Sequence, residues 1–159
     1  MGKRKFIIVC LLFFAVNANA QEIKEVKIAG LEKIIAESKT PLIVTFWATW
    51  CGPCIQEIPY FLEEVKDHKK DSLTILLVSL DFKEAFPKTI TSFAEKRKMH
   101  APIVWLNETN ADYFCPKIDA KWSGAIPATL FINNKKGYRK FVEEQISHET
   151  LKLEIKAIL

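Results

Sequence analysis

Apolar positions along the chain fall into two kinds of pattern. Continuous runs rich in β-branched and aromatic residues are typical of strands buried on both faces, and they cover 42–47, 73–80 and 128–132. Apolar residues spaced three and four positions apart predict helices over 31–38, 55–69, 86–99 and 150–159. Weaker patterns indicate short strands at 22–28 and 103–106 and a helical turn at 109–114.

The last third of the chain breaks the alternation of strand and helix. A turn over 133–137 separates the run at 128–132 from a further strand at 138–142, and this arrangement predicts an antiparallel hairpin. The earlier strands are joined through helices, which is typical of parallel pairing. The sequence therefore predicts an α/β fold in which a central mixed β-sheet is flanked by helices on both faces.

The first twenty residues form a separate unit. A basic start at 3–5 precedes an apolar run over 6–16, and Ala18-Asn19-Ala20 supplies the small-x-small pattern that a signal peptidase cuts. The apolar run is well short of the roughly 20 residues that cross a bilayer, which favours a cleaved signal over an anchor. We predict a signal peptide at 1–20, one domain at 21–159 with no transmembrane segment after cleavage, and a periplasmic or secreted location.

The basic character of the whole chain belongs mostly to this leading segment. The chain has 23 basic and 19 acidic residues, and three of the basic ones lie at 3–5. Removing those three leaves 20 basic against 19 acidic residues, a net charge of +1. Because nucleic-acid binding needs a clustered basic face, we expect no nucleic-acid partner.

Three cysteines, Cys51, Cys54 and Cys115, remain after the predicted cleavage. A disulfide between Cys51 and Cys54 closes so short a loop that it restrains little of the unfolded chain, so we expect this pair to be used chemically. Cys51 follows a buried strand and begins a helix, where unpaired backbone N–H groups and the helix dipole stabilise a thiolate. Cys51 is the predicted nucleophile and Cys54 the resolving thiol of an exchange through a mixed disulfide.

Other uses of a C-x-x-C pair are disfavoured by what surrounds it. Zinc would need a second cysteine or histidine pair at matching spacing, and the sequence supplies none, so no metal is expected. A c-type haem needs histidine directly after the second cysteine, where Ile55 stands. Pro41-x-x-x-Thr45 resembles the start of a peroxiredoxin motif, but Ala48 occupies its cysteine position. Thiol–disulfide exchange needs no cofactor, so none is expected.

The run Trp47-Ala48-Thr49-Trp50-Cys51-Gly52-Pro53-Cys54 resembles the active site of thioredoxin-fold proteins, and Ala125-Ile126-Pro127-Ala128-Thr129-Leu130 resembles their cis-proline loop. The similarity covers most of 40–142 and implies a thioredoxin-like fold. It also implies a substrate-binding surface that consists of Trp50, Gly52, Pro53, Ile126 and Pro127. In that family the residue before the proline, here Ile126, pairs backbone to backbone with the substrate chain.

The pattern Cys51-x-x-Cys54-x-x-Glu57-x-Pro59, together with the signal, is most similar to the ResA/TlpA group of extracytoplasmic reductases. Thioredoxin carries a buried aspartate six residues before its first cysteine, and Thr45 stands there in this chain. By similarity, Glu57 is the third catalytic residue and accepts the proton of Cys54. The alternative is that Glu57 is an ordinary solvated helix residue.

The sequence also allows expectations for the third cysteine and for three of the tryptophans. Cys115 is either a buried inert thiol or a regulatory or resolving thiol. Trp47 is predicted to be a core residue, and Trp105 and Trp122 are predicted to pack in the interior.

The residues between the cysteines bear on the direction of the reaction. Gly52-Pro53 offers no histidine to stabilise a thiolate, which favours a reductase of protein disulfides over an oxidant. The resemblance implies a membrane thiol transporter of the DsbD/CcdA kind as electron donor. It also implies misoxidised secreted proteins, or apocytochrome c during cytochrome c maturation, as clients. The alternatives are a copper-binding chaperone of the same fold, a disulfide oxidase and an isomerase.

Overall fold

A computed structural model describes residues 22–159, so the predicted signal peptide lies outside the described residues. Strands and helices follow one another within this range in the order β1 Lys24–Val26, α1 Ile28–Glu37, β2 Leu42–Trp47, α2 Gly52–Asp67, β3 Thr74–Ser79, α3 Lys88–Lys96, β4 Ile103–Leu106, α4 Ala111–Ile118, β5 Ala128–Asn133, β6 Tyr138–Val142 and α5 His148–Ile158. Two 3-10 turns, Lys69–Asp71 and Lys83–Ala85, follow α2 and precede α3.

These strands form one sheet in the order β1-β4-β3-β2-β5-β6. The first four strands in that order are parallel to one another, whereas β5 is antiparallel to β2 and β6 is antiparallel to β5. The hairpin between β5 and β6 turns at Gly137, whose φ of 64° lies in the left-handed region that favours glycine. The predicted mixed sheet and its hairpin are confirmed.

Each face of the sheet is covered by its own apolar cluster. Successive residues of β2 point to opposite faces, so Ile43 and Trp47 belong to one cluster while Val44 and Phe46 belong to the other. The first cluster receives side chains from α2, α3 and α5, and the second receives them from α1 and α4. Helices therefore flank both faces, as the sequence predicted.

The ends of several elements differ from the sequence prediction because distant residues or turn geometry decide them. Ile28, predicted to end the first strand, instead begins α1, where its backbone N–H donates to Oε1 of Glu108 at 2.9 Å. The predicted helix over 86–99 is observed as Lys88–Lys96. Its C-terminal end comes early because Lys98 adopts a left-handed φ of 55° just beyond it.

The two C-terminal helices are longer at their starts or ends than predicted. The predicted turn at 109–114 is the beginning of α4, an eight-residue helix that continues through Cys115 and Pro116. Helix α5 begins at His148 because the hydroxyl of Ser147 caps it, accepting from the backbone N–H of Thr150 at 3.1 Å. In the described part of the chain, none of the helices has the length and apolar content that crossing a bilayer requires.

Candidate active site

Cys51 and Cys54 lie at the junction between the central strand β2 and helix α2. Cys51 is the N-cap of the helix and forms a disulfide with Cys54, with 5.4 Å between their Cα atoms. The N–H of Cys51 donates to the carbonyl of Ala48 at 3.0 Å, which closes a turn after β2. The Cys51 sulfur also accepts from the backbone N–H of Cys54 at 3.3 Å. Cys54 is fully buried, whereas 5% of Cys51 is exposed, so Cys51 is the more accessible of the two.

The surface beside the disulfide is open and apolar. Gly52 and Pro53 are exposed, and a Cβ atom on Gly52 would meet nothing within 4 Å. Trp50 is 59% exposed and stacks on Phe82, which is 72% exposed, with 6.2 Å between the ring centroids. Two neighbouring exposed aromatic rings beside a disulfide form a surface suited to an apolar partner.

The fold brings the cis-proline loop to the same end of the sheet. The Ile126–Pro127 peptide bond is cis. Strand β5 starts directly after it and pairs Ala128 with Phe46 of β2, so Pro127 lies beside the end of β2 that leads to Cys51. Ile126 is partly buried and packs against both apolar clusters. Two motifs more than seventy residues apart in the sequence therefore meet at one edge.

Glu57 lies in the first turns of α2 and is fully buried, so the alternative of a solvated helix residue is wrong. Its Oε2 accepts a hydrogen bond from the backbone N–H of Ile146 at 3.0 Å, while its Oε1 has no hydrogen-bond partner among residues 22–159. Burial raises the pKa of Glu57 to about 7, although the hydrogen bond from Ile146 lowers it. Near neutral pH this carboxyl can therefore both hold and accept a proton, and Oε1 is the free oxygen that can carry it.

The segment that precedes α5 is attached to the active-site helix at several points. The Tyr60 hydroxyl donates to the carbonyl of Ile146, so both backbone groups of Ile146 are bound by α2 side chains. Burial and the nearby charge of Glu57 raise the pKa of Tyr60 to about 12, which keeps that hydroxyl a donor. The Gln145 side-chain amide donates to the carbonyl of Pro53 at 3.4 Å.

Asp81, which no sequence motif indicated, fixes the loop before Cys51. Its buried carboxylate accepts from the backbone N–H of Thr49 at 3.1 Å, from the Thr49 hydroxyl at 2.6 Å and from the Ser79 hydroxyl at 2.8 Å. Asp81 also accepts from the indole N–H of Trp105 through its backbone carbonyl at 2.7 Å. The sequence does place Asp81 just past the end of a buried parallel strand. Because the carboxyl ends of parallel strands meet at one edge of the sheet, that position could have indicated a residue close to Cys51.

The remaining residues singled out in the sequence, Thr45, three of the tryptophans and Cys115, are all buried in the core. Thr45 is buried, and its hydroxyl accepts from Thr129 at 3.2 Å, so a neutral pair joins β2 to β5 where thioredoxin has an acid. Trp47, Trp105 and Trp122 are buried, which confirms their predicted packing roles. Cys115 is a buried free thiol whose pKa is raised to about 11, chiefly by burial. It belongs to the apolar cluster on the opposite face of the sheet from Cys51 and Cys54, as an inert thiol would.

A cysteine pair at the start of the helix that follows the central strand, beside a cis-proline, defines a protein of the thioredoxin-like class. The chain belongs to the AhpC/TSA family, whose model matches residues 13–139. Thioredoxin of Mycolicibacterium smegmatis is 45% identical over 56 residues, which are 35% of this chain and 48% of that protein. The thiol-disulfide oxidoreductase ResA of Geobacillus thermodenitrificans is 27% identical over 118 residues, which are 74% of this chain and 62% of that protein. The aligned part of the chain thus spans less than two thirds of either relative.

Solved structures of thioredoxin-related proteins are similar in fold to this chain. A thioredoxin-related protein from Neisseria meningitidis serogroup B has a TM-score of 0.63 and 27% identity, covering 76% of this chain and 86% of that one. StoA from Bacillus subtilis has a TM-score of 0.57 and 26% identity, covering 75% of this chain and 84% of that one. The α/β architecture described above is therefore the thioredoxin-like fold that the sequence predicted.

Proposed function

We propose that this protein is an extracytoplasmic thiol–disulfide oxidoreductase that reduces disulfides in client proteins. The observation that carries the proposal is the Cys51–Cys54 disulfide at the start of α2, beside the cis Ile126–Pro127 bond and an exposed aromatic pair. The similarity to ResA supports the same activity. Ala48 stands at the cysteine position of the peroxiredoxin-like motif, which disfavours a thiol peroxidase.

The reaction begins with the reduced pair. The Cys51 thiolate attacks one sulfur of a client disulfide, which forms a mixed disulfide and releases the first client thiolate. Cys54 then loses its proton and attacks the Cys51 sulfur, which releases the second client thiolate and leaves the Cys51–Cys54 disulfide. Two electrons pass from the pair to the client. Glu57 is the residue we propose to accept the Cys54 proton, because it is buried on the same helix face and its pKa is about 7.

The location and the partners belong to the proposal as well. The basic start, apolar run and small-x-small end of residues 1–20 support export of a domain at 21–159. A reductase in an oxidising compartment needs electrons from outside it, and a membrane thiol transporter of the DsbD/CcdA kind would supply them. Cysteine pairs in secreted proteins, including those of apocytochrome c, are the proposed clients.

The direction is tested by equilibrating the purified protein with glutathione buffers. Gly52-Pro53 leaves the Cys51 thiolate without a stabilising histidine, so the couple should have a potential nearer about −270 mV than about −120 mV. A value at the oxidising end would show an oxidase instead.

The clients are tested by trapping. In the native host, Cys54→Ala should accumulate mixed disulfides on Cys51, because the resolving thiol is absent. Cys51→Ala/Cys54→Ala is the matched control and should capture no protein through a disulfide. An accessible Cys51 that captures no client would contradict the proposal.

A further inference from the structure

The turn that leads into the cis-proline loop is held by one carboxylate. Oε1 of Glu143 accepts from the backbone N–H of Ser123 at 2.9 Å, from the backbone N–H of Ala125 at 3.1 Å and from the Ser123 hydroxyl. Three donors on one charged oxygen make a stronger attachment than neutral hydrogen bonds do. Glu143 directly follows β6, at the edge of the sheet, and about twenty residues separate it from the turn that it binds.

The turn has the shape that this attachment requires. Gly124 has a φ of 95°, a conformation that side chains other than glycine rarely adopt, and it points the N–H groups on its two sides toward the same oxygen. A Cβ atom on Gly124 would lie 3.5 Å from the Cβ of Ala111 and 3.7 Å from the sulfur of Cys115. The turn therefore rests closely on α4, while Glu143 accepts its N–H groups.

The same turn determines where the next residue points. The carbonyl of Ala125 accepts from the indole N–H of Trp122 at 2.9 Å, so both backbone groups of Ala125 are bound within the protein. Ile126 follows, and neither its N–H nor its carbonyl has a hydrogen-bond partner within residues 22–159. An open N–H and carbonyl beside the disulfide suit an extended polypeptide that adds as a short strand.

We propose that Glu143 is a positioning residue for client binding, which holds the Ser123–Ala125 turn so that the Ile126 backbone is presented to an extended client segment. This inference rests on the proposed function, because it assumes that Ile126 pairs with a client. It assigns Glu143 to binding and not to thiol chemistry. Clients that present an extended chain should depend on it, and small disulfides that have no such chain should not.

The test compares a protein disulfide with a small disulfide. Insulin, with dithiothreitol as reductant, is the protein probe, and 5,5′-dithiobis(2-nitrobenzoate) is the small one. Glu143→Ala should raise the KM for insulin about five- to tenfold with kcat within about twofold, as expected for lost ground-state binding. Its rate with the small disulfide and its glutathione equilibrium should equal those of the wild type. Glu143→Gln keeps an accepting oxygen, so its KM for insulin should lie between those of Glu143→Ala and the wild type.

Glu144→Ala is the matched control, since Glu144 is the exposed neighbour and its loss removes the same charge. Its KM for insulin should equal that of the wild type. An unchanged KM in Glu143→Ala overturns the inference, and so does a parallel loss in both reactions, which would indicate a general structural role. Should Glu143→Ala not fold, Ser123→Ala decides the question, with a smaller KM increase expected and no increase overturning it. A wild type that fails to reduce insulin contradicts the proposed function itself.

Discussion

The backbone N–H of Ile146 donates a hydrogen bond of 3.0 Å to Oε2 of Glu57, a residue 89 positions earlier in the chain. This contact joins the segment before α5 to the active-site helix and leaves Oε1 of the same carboxyl without a partner among residues 22–159. The buried carboxyl has one oxygen bound and one free, with a pKa of about 7. That arrangement suits a group that exchanges a proton with a neighbouring thiol.

Replacing Glu57 with glutamine should slow the resolving step. The ionised carboxylate accepts the Cys54 proton, and the amide cannot, so release of a client peptide from Cys51 should be about 10²-fold slower. The wild-type rate should rise as the pH passes about 7, and that rise should be reduced in Glu57→Gln. Single-turnover release of a fluorescent peptide from the mixed disulfide measures both effects.

Glu63→Gln provides the control for this experiment, because Glu63 is an exposed glutamate on the same helix. It should leave the rate and its pH dependence unchanged. Equal rates of peptide release in Glu57→Gln and the wild type at every pH would show that Glu57 does not accept the Cys54 proton.

The same residue should make stability depend on pH. The pKa of Glu57 is about 7 in the folded protein against a reference of 4.5, so the folded state binds the proton more tightly. Between these values the free energy of unfolding should fall as the pH rises, by at most about 1.4 kcal/mol per pH unit from this group. Urea unfolding of the oxidised wild type and of Glu57→Gln, compared from pH 4 to 8, isolates this contribution. Parallel stability curves for the two proteins would contradict the shifted pKa.

The exposed aromatic pair should contribute to client binding. Phe82→Ser removes the ring that stacks on Trp50, so the KM for insulin should rise severalfold, while reaction with a small disulfide should not change. Tyr113→Ser is the control, because Tyr113 is also exposed, at 53%, and lies on α4. Equal KM values for the wild type and Phe82→Ser would exclude this surface from the binding site.

Cys115 should be chemically silent in the folded protein. It is 2% exposed, and burial raises the pKa of its thiol to about 11, so it has little thiolate and little access to reagents. Iodoacetamide should modify Cys51 of the reduced protein but modify Cys115 only after denaturation, and Cys115→Ala should keep full insulin-reducing activity. Rapid labelling of Cys115 in the native protein would favour the regulatory interpretation instead.

Features carried by neighbouring residues could be predicted from the sequence, whereas contacts between distant segments could not. The cysteine pair and the Ile126–Pro127 motif are each contiguous, so their residue types alone indicated the fold and the site. The bond from Ile146 to Glu57 and the bonds from Thr49 to Asp81 join residues 89 and 32 positions apart. Neither bond leaves a periodic pattern in the sequence, because each depends on how the chain packs.

The ends of helices could not be predicted accurately from the sequence either. Apolar spacing placed Ile28 in a strand, but the Glu108 carboxylate accepts its N–H and so helps to define the start of a helix. The apolar spacing also predicted that the third helix continues past Lys98. An apolar pattern cannot indicate the left-handed φ of Lys98, which ends the helix earlier.

The transfer of two electrons from Cys51 and Cys54 to a client disulfide can be measured directly. The reduced protein is mixed with insulin without another reductant, and the thiols of both proteins are counted by mass spectrometry after alkylation. One Cys51–Cys54 disulfide should form for each insulin disulfide reduced, with Cys115 unchanged, and Cys51→Ala should reduce no insulin. A reduced protein that keeps both thiols while insulin stays intact would contradict the proposed function.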